Sequence, residues 1–570
     1  MTKVGIDLGT TYSLVSIMRA GRPEIVPNVL GEELTPSAVS VDERGEVLTG
    51  RAARARAVTH PDLTAVAFKR DMGTARRYSL GSRSFSPEEL SALLLATLKR
   101  DAEEVLGETI EEAVVTVPAY FGEAARRATR VACELAELRV ERIINEPTAA
   151  ALAYGLHQRD KELRAVVLDL GGGTFDVTVL EIMEGVIEIQ ASAGDTRLGG
   201  EDFLDVIVGW VADRVVERHG FDPRVSAGDR ARLREACERA KHRLSTDDAA
   251  RIALPALGAR RQDVEIELRL DDVEPAFEPL LARMTTPIRR ALSDAAVDPK
   301  QIDEVLLVGG ATRMPSVAAL AARLFGRLPS RALPPDEAVA LGAAVQMALK
   351  AGNEAVEDMV VTDVAPFTLG IAVSQSIGMH DVGGLFAPIL ERGTVLPASR
   401  EREFSTMADG QRMIAVEVYQ GEHSLCKDNE KLGTYQVKGI PAGPAGKETI
   451  SVRFSYDMNG LLEVDTTITS TGKTASMTLD RSKNRLTEEQ VAEAKKRLKG
   501  LKFHPRDALP NTTALSRAEV LHAELTGVER EILRDAMNHF RAALELQDAK
   551  QISFAREMLL ARIADLGHGR

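Results

Sequence analysis

The chain has 570 residues, 44% of them hydrophobic, and a formal net charge of −13. That length and apolar share predict about three globular units with sizeable cores. The acidic balance argues against a nucleic acid partner, because little cationic surface is left to displace counterions from a phosphate backbone. Cys133, Cys237 and Cys426 stand far apart and form no C-x-x-C pair, so neither a disulfide framework nor a zinc site is expected. The chain opens directly on a strand and turn without an apolar leader, and no uncharged apolar run reaches the ~18 residues of a membrane span. A cytoplasmic protein without a membrane partner is the expectation.

In chain order, VGIDLGTTYSLVSI (Val4 to Ile17) predicts an apolar strand, Asp7, a bend carrying Gly9, Thr10, Thr11 and Tyr12, and a second apolar strand. AVVLDLGGGTFDVTVLEI (Ala165 to Ile182) repeats the pattern with Asp169, Gly171, Gly172, Gly173, Thr174 and Asp176. Glycines let backbone N–H groups converge on an anion, and the adjacent carboxylate can hold a cation. Two such turns imply a nucleotide clamped between two related lobes; two ordinary β-hairpins are the plain alternative. Over the first ~350 residues strand-like and helix-like patterns alternate, as in VVTVPAYF followed by EAARRATRVACELAEL, which is α/β organisation.

Further along, ACERAKHRLS puts Glu238, Lys241 and Ser245 on one helical face, an acceptor, a cation and a hydroxyl; a solvated helix surface is the alternative. A third glycine bend lies in VLLVGGATRMPSV, where a bare strand-to-helix turn is equally compatible. Around Asp358 the pattern changes to short alternating runs, an antiparallel β region ending near Asp480. Within it TGKT (Thr471 to Thr474) imitates a phosphate-binding loop, but Thr467 stands where such a loop needs glycine, so a hairpin turn is expected. Thr487 and Gln490 form a capping box ahead of a helical tail that Pro505 and Pro510 interrupt.

Taken together, IDLGTTYS, VPAYF, NEPTAAALAYG, LDLGGGTFDVT, GDTRLGGEDF, ACERAKHRLS, VGGATRMP and DEAVALGAAVQ resemble, in family order, the signature blocks of the DnaK-type heat-shock chaperones. The likeness continues in the β region through DVAPFTLGI, FSTMADGQ, VYQGE and KDNEKLG, and compactness and RFSYDMNGLLEVD look closest to the HscC-like branch. The resemblance implies an α/β actin-like ATPase domain of two ribonuclease-H-like lobes at 1–356 and an interdomain linker at 357–364. An antiparallel β-sandwich that binds peptide would follow at 365–480, then a short α-helical lid at 487–570.

Carried over residue by residue, the resemblance implies ATP and ADP as ligands, with Mg²⁺ held by Asp7 and Asp169 largely through water and K⁺ as a further candidate ion. Lys69, Glu146, Asp169, Thr174 and Asp176 would be catalytic, Lys69 neutralising the γ-phosphoryl and Glu146 orienting the attacking water. Read without the resemblance, Lys69 is surface charge. Gly9 to Tyr12, Gly171 to Gly173, Gly199 and Gly200 would surround the phosphates; Glu238, Lys241, Ser245, Gly309, Gly310, Ala311, Thr312, Arg313 and Asp336 would hold the adenosine. Ile371, Phe404, Met407, Ile414 and Val416 would bind an extended apolar peptide, against the alternative that they are sandwich core. Pro118, Arg126 and Asp363 would couple the domains.

Implied partners are unfolded hydrophobic polypeptides and a J-domain co-chaperone. The segments between Lys69 and Val114 and between Ser245 and Val305 are shorter than usual for the family, which leaves dependence on an exchange factor open. Thr362 stands where a bulky aliphatic linker residue is usual, so weaker interdomain docking is expected. Two other classes stay in view: a small-molecule kinase of the actin-like superfamily, and a non-cycling ATP-binding holdase or exchange factor.

Overall fold

The computed structural model describes residues 2–478 apart from 44, 157, 159–160, 184, 331, 378–379 and 458–461, and toward the C-terminus 511, 514–515, 517–518, 521–522, 527–546 and 549–567. The first sheet grows from an antiparallel meander, β1 (Thr2–Asp7), β2 (Tyr12–Arg19) and β3 (Arg22–Val26). Parallel to β1 lies β4 (Ile110–Val117), and beyond it β5 (Arg139–Asn145), giving the order β5-β4-β1-β2-β3.

The second sheet repeats this plan. Its meander is β6 (Leu163–Leu170), β7 (Phe175–Met183) and β8 (Val186–Asp195), and β9 (Glu304–Val308) adds in parallel to β6. From Val166 to Leu170 every residue of β6 is buried, because helices cover both faces of the sheet. Two lobes with one topology are the structural form of the repeated Asp-Leu-Gly turn, and they make up the actin-like domain.

Helices pack around and between the lobes. In the first lobe α1 (Pro87–Leu106) starts from a capping box in which Ser86 and Glu89 satisfy each other's backbone N–H, and it packs on α2 (Glu123–Leu135). At the end of β5 the chain turns straight into α3 (Glu146–Leu156). The second lobe carries α4 (Gly200–His219), α5 (Ala227–Arg243) and α6 (Leu270–Asp294). Then α7 (Ala338–Lys350) runs against α3 and β1 so tightly that a Cβ at Gly342 would lie 1.6 Å from the Ala149 carbonyl oxygen, and one at Gly5 2.4 Å from the Ala344 nitrogen.

After α7 the chain forms β10 (Val360–Val361), which adds in parallel to β8 as the edge of the second sheet. The sandwich follows. One of its sheets has the order β12-β11-β14-β15, from β11 (Leu369–Ile377), β12 (His380–Leu390), β14 (Met413–Gln420) and β15 (Glu430–Lys438); the other is β13-β16-β17-β18, from β13 (Ala398–Ser405), β16 (Thr449–Tyr456), β17 (Leu462–Ile468) and β18 (Thr474–Thr478). Leu369, Val418 and Leu432 from the first meet Val452, Phe454 and Val464 from the second in a shared core.

TGKT is a hairpin turn: Gly472 has φ +67°, and the Ile468 N–H donates to the Lys473 carbonyl between β17 and β18. In the C-terminal region α8 (Gly527–Leu546) and α9 (Ala549–Gly567) pair through Leu533, Met537, Phe540, Ile552 and Leu559. The capping box at Thr487 and Gln490, with Pro505 and Pro510, lies outside the described residues.

Candidate nucleotide cleft and interdomain contacts

Between the lobes lies a cavity of about 500 Å³ walled by both Gly-Thr turns. The β1–β2 turn contributes Asp7, Gly9, Thr10, Thr11 and Tyr12; the β6–β7 turn contributes Asp169, Gly171, Gly172 and Thr174, with Gly200 behind it. The turns fit against each other closely. A Cβ on Gly172 would lie 2.0 Å from the Thr11 hydroxyl, and one on Gly199 2.4 Å from the Gly173 nitrogen. Gly199 and Gly173 therefore sit one layer behind the wall and hold its shape.

Four carboxylates, Asp7, Glu146, Asp169 and Asp176, crowd one end around a single ammonium, Lys69. Lys69 Nζ lies 2.6 Å from Glu146 Oε1, with side chains 5% and 10% exposed. Asp7 accepts from the Thr116 hydroxyl at 2.9 Å, and Asp176 from the Tyr120 N–H at 3.1 Å. Asp169 and Asp176 each keep one buried oxygen without a hydrogen-bond partner. Burial, with Glu146 close by, pushes the Asp7 and Asp176 carboxyls up to about 7, and burial with three neighbouring carboxylates raises Asp169 as well. So much negative charge around one ammonium, with an unpartnered oxygen on Asp169 in a cavity walled by glycine turns, fits a hydrated divalent cation carried by a polyphosphate.

Toward the other end, α5 closes the cavity. Glu238 and Lys241 are buried and paired at 2.8 Å, and Lys241 also donates to the Gly200 carbonyl at 3.1 Å. This face of α5 is therefore no solvated surface. Ser245 lies just past the helix end and also lines the cavity. Opposite, β9 ends at Gly309, whose φ of +81° brings its backbone against Leu170, and a short 3-10 turn, Gly310–Arg313, presents Gly310, Ala311 and Arg313. Arg313 donates to Asp336 at 2.7 Å, while Thr312 turns inward to the Gly309 carbonyl. Pairing of Arg70 with Asp202 at 3.1 Å ties the lobes together across the cleft.

Reading the motifs misses Leu14, Leu34, His242, Thr246, Met314, Pro335 and Val339, which complete the wall, and Thr116, which fixes Asp7. Several of these stand beside a predicted residue, and that adjacency was the only signal; Leu34 and Thr116 carry none.

In the sandwich, Ile371 and Val416 are core residues, 4% and 2% exposed, while Phe404 and Ile414 are half-buried at its margin and Met407 is 40% exposed. Arg126 donates to the carbonyls of Ala119 and Phe121 and to Asn145; Pro118 is buried beside them and accepts from the Phe121 N–H. Asn145 and Thr148 in turn donate to Asp363, at 2.8 and 3.2 Å. Asp363 is buried, and its place one residue beyond Thr362 ties the linker to the end of β5.

The chain matches the family described as Hsp70 protein over residues 3–80 and 74–557. It is 43% identical over 497 residues to "Chaperone protein DnaK" from Thermotoga neapolitana, covering 86% of this chain and 82% of that one, and equally to the DnaK chaperones of Thermotoga petrophila and Thermotoga maritima. It belongs to the Hsp70 family. In this Hsp70 the β domain rests on the nucleotide lobes. Arg392 bridges Asp294 at 2.9 Å and Glu422 at 3.1 Å, Tyr120 and Phe367 stack with ring centroids 4.2 Å apart, and Gln420 accepts from the Glu123 N–H. Among the described residues no helix is long and apolar enough to cross a membrane.

Proposed function

We propose the following division of labour for this ATP-dependent chaperone of the Hsp70 family. The domain at 1–356 binds and hydrolyses ATP, residues 357–364 carry its state onward, the sandwich at 365–480 grips extended hydrophobic segments of unfolded proteins, and 487–570 forms the lid. The observation that carries this reading is the group of carboxylates around Lys69, with Asp7, Glu146 and Asp169 lining one cleft between two glycine turns and Asp176 buried beside it.

Asp7 and Asp169 would hold Mg²⁺, which would supply charge neutralisation to the triphosphate. Backbone N–H groups of the two turns, with Thr10, Thr11 and Thr174, position the phosphates. Glu146 and Asp176 orient the water that attacks the γ-phosphorus, and Lys69 neutralises the charge that builds as the bond to ADP breaks. Such chemistry needs placement and electrostatics, with no covalent intermediate on the protein. In the sandwich, Phe404, Met407 and Ile414 offer apolar surface over a floor of Ile371 and Val416, while the peptide main chain is held by backbone hydrogen bonds.

A J-domain partner, a cytoplasmic location and membership of the HscC-like branch belong to the same proposal; the branch rests on compactness and on RFSYDMNGLLEVD. The test is turnover: slow ATP hydrolysis that rises on adding a peptide rich in Leu and Ile. Phosphate appearing on an added metabolite, or no turnover at all, would overturn the reading.

A further inference from the structure

The residue after Lys69 has no part in the scheme above. Lys69 and Arg70 share a short 3-10 turn, Phe68–Asp71, in which Phe68 and Lys69 are buried and the Met72 N–H donates to the Lys69 carbonyl at 3.2 Å. Successive side chains of so tight a turn leave in different directions. Lys69 points to Glu146 in the first lobe, whereas Arg70 crosses to the second, where its Nη2 lies 3.1 Å from Asp202 Oδ2 and 3.3 Å from Oδ1. On the way its stem covers Gly173 so closely that a Cβ there would lie 2.7 Å from Arg70 Cγ, and 3.1 Å from Thr10 Cγ2 of the first glycine turn.

Asp202, for its part, is bonded into the second glycine turn. It stands in the first turn of α4, and its Oδ2 also accepts from the Gly199 N–H at 2.8 Å. The first amides of that helix, those of Gly200 and Glu201, donate to the carbonyls of Gly171 and Gly172, each at 2.9 Å. Arg70 therefore grips one unit made of the second turn and the start of α4. Neither Arg70 nor Asp202 is among the described residues that line the cavity, so the pair acts from behind the wall.

We propose that Arg70 is a positioning residue that clasps the second glycine turn to the Lys69 turn, setting both the rate of phosphoryl transfer and the residence time of the nucleotide, an inference that rests on the nucleotide reading above. Lys69 belongs to one lobe and Asp169 with Thr174 to the other, so their spacing around a nucleotide holds only while the lobes stay together. Chemistry that proceeds through placement is slowed by small misplacements. The same clasp has to open before a ligand enclosed between the lobes can leave. With side chains only 22% and 21% exposed, this charge-assisted pair is sheltered from solvent, and its loss is worth about a tenfold change in a rate.

The experiment is a double-mutant cycle on the full-length protein, with Arg70→Met, which keeps the stem over Gly173, Asp202→Asn, which keeps an acceptor for the Gly199 N–H, and both together. Two rates are read: single-turnover hydrolysis of MgATP, and release of a fluorescent ADP analogue chased with unlabelled MgADP. Each single variant should hydrolyse about tenfold more slowly and release about tenfold faster, and the double variant should be no worse than either. Arg70→Lys, which keeps the charge without the planar fork, should fall between wild type and Arg70→Met. Additive losses in the double variant, or a loss in Arg70→Met that Asp202→Asn does not reproduce, would mean that Arg70 acts on the phosphates directly and would overturn the inference. Slower hydrolysis with unchanged release, or unchanged rates in both single variants, would overturn it too. Failure of the wild type to bind the labelled ADP would overturn the nucleotide reading and this inference with it.

Discussion

A lysine whose side chain is 5% exposed, 2.6 Å from an equally sheltered glutamate, is held there at a cost unless something uses its charge. Lys69→Ala should lower the single-turnover hydrolysis rate by about 100-fold or more while ATP affinity changes by no more than a few-fold, because neutralisation matters most as charge moves in the transition state. Equal losses in binding and turnover would contradict that role. Elsewhere, Asp101 on α1 has one buried oxygen without a partner, and burial pushes its carboxyl up to about 7. A folded-state value above the unfolded one means that ionisation opposes folding. The penalty is absent at acid pH, grows as pH rises from about 4 to 7, and is complete above that. Asp101→Asn should therefore gain on wild type steadily from about pH 4 to 7 and exceed it by a few kcal/mol at pH 8 in chemical denaturation. Neither residue was equally legible beforehand: Lys69 stands out only through the family resemblance, since lysine in a polar stretch carries no burial signal, and nothing in the pattern around Asp101 marks it as inward-facing.

Elements were more legible than their pairings. Asp-Leu-Gly followed within three residues by threonine, written twice, foretells two strand-turn-strand units, and β1–β2 and β6–β7 are those units. The face of α5 was ambiguous because Glu, Lys and Ser at helical spacing describe a wet surface as well as a cavity wall. Burial of Glu238 and Lys241, with Lys241 donating to the Gly200 carbonyl, decides it, and that contact is long-range. Similarly, Ile371 and Val416 alternate properly for either a groove or a core, and the second sheet of the sandwich makes them core. Packing of α7 on α3 was invisible in the pattern, yet it sets a sharp constraint at Gly342. Because the atoms a methyl group would meet there are backbone, they cannot rotate away. Gly342→Ala should cost at least about 2 kcal/mol in the stability of the nucleotide domain, read from its denaturation midpoint. An unchanged midpoint would mean that α7 sits farther from α3 than described.

At the scale of the molecule, the linker is an edge strand of the second lobe, so whatever moves that lobe moves the β domain. Its departure from the family has a visible consequence. The Thr362 N–H donates to the Ile187 carbonyl, but its hydroxyl is buried without a hydrogen-bond partner. Thr362→Val keeps the shape and removes the unsatisfied group, so the docked linker should gain about 1 kcal/mol, read as slower amide exchange at residues 360–363. Faster exchange would contradict this. The β domain is further held by Arg392, which binds Asp294 of the nucleotide domain and Glu422 of its own. The contact with Asp294 joins residues 98 positions apart, which no local pattern reports.

The central claim is that a nucleotide held between the lobes governs the grip of the sandwich on an apolar segment. Its most direct measurement is the release rate of a fluorescent Leu- and Ile-rich peptide from the full-length ADP-loaded protein on adding MgATP. Release at least about tenfold faster than on adding MgADP is the predicted result, and equal rates with the two nucleotides would contradict the account.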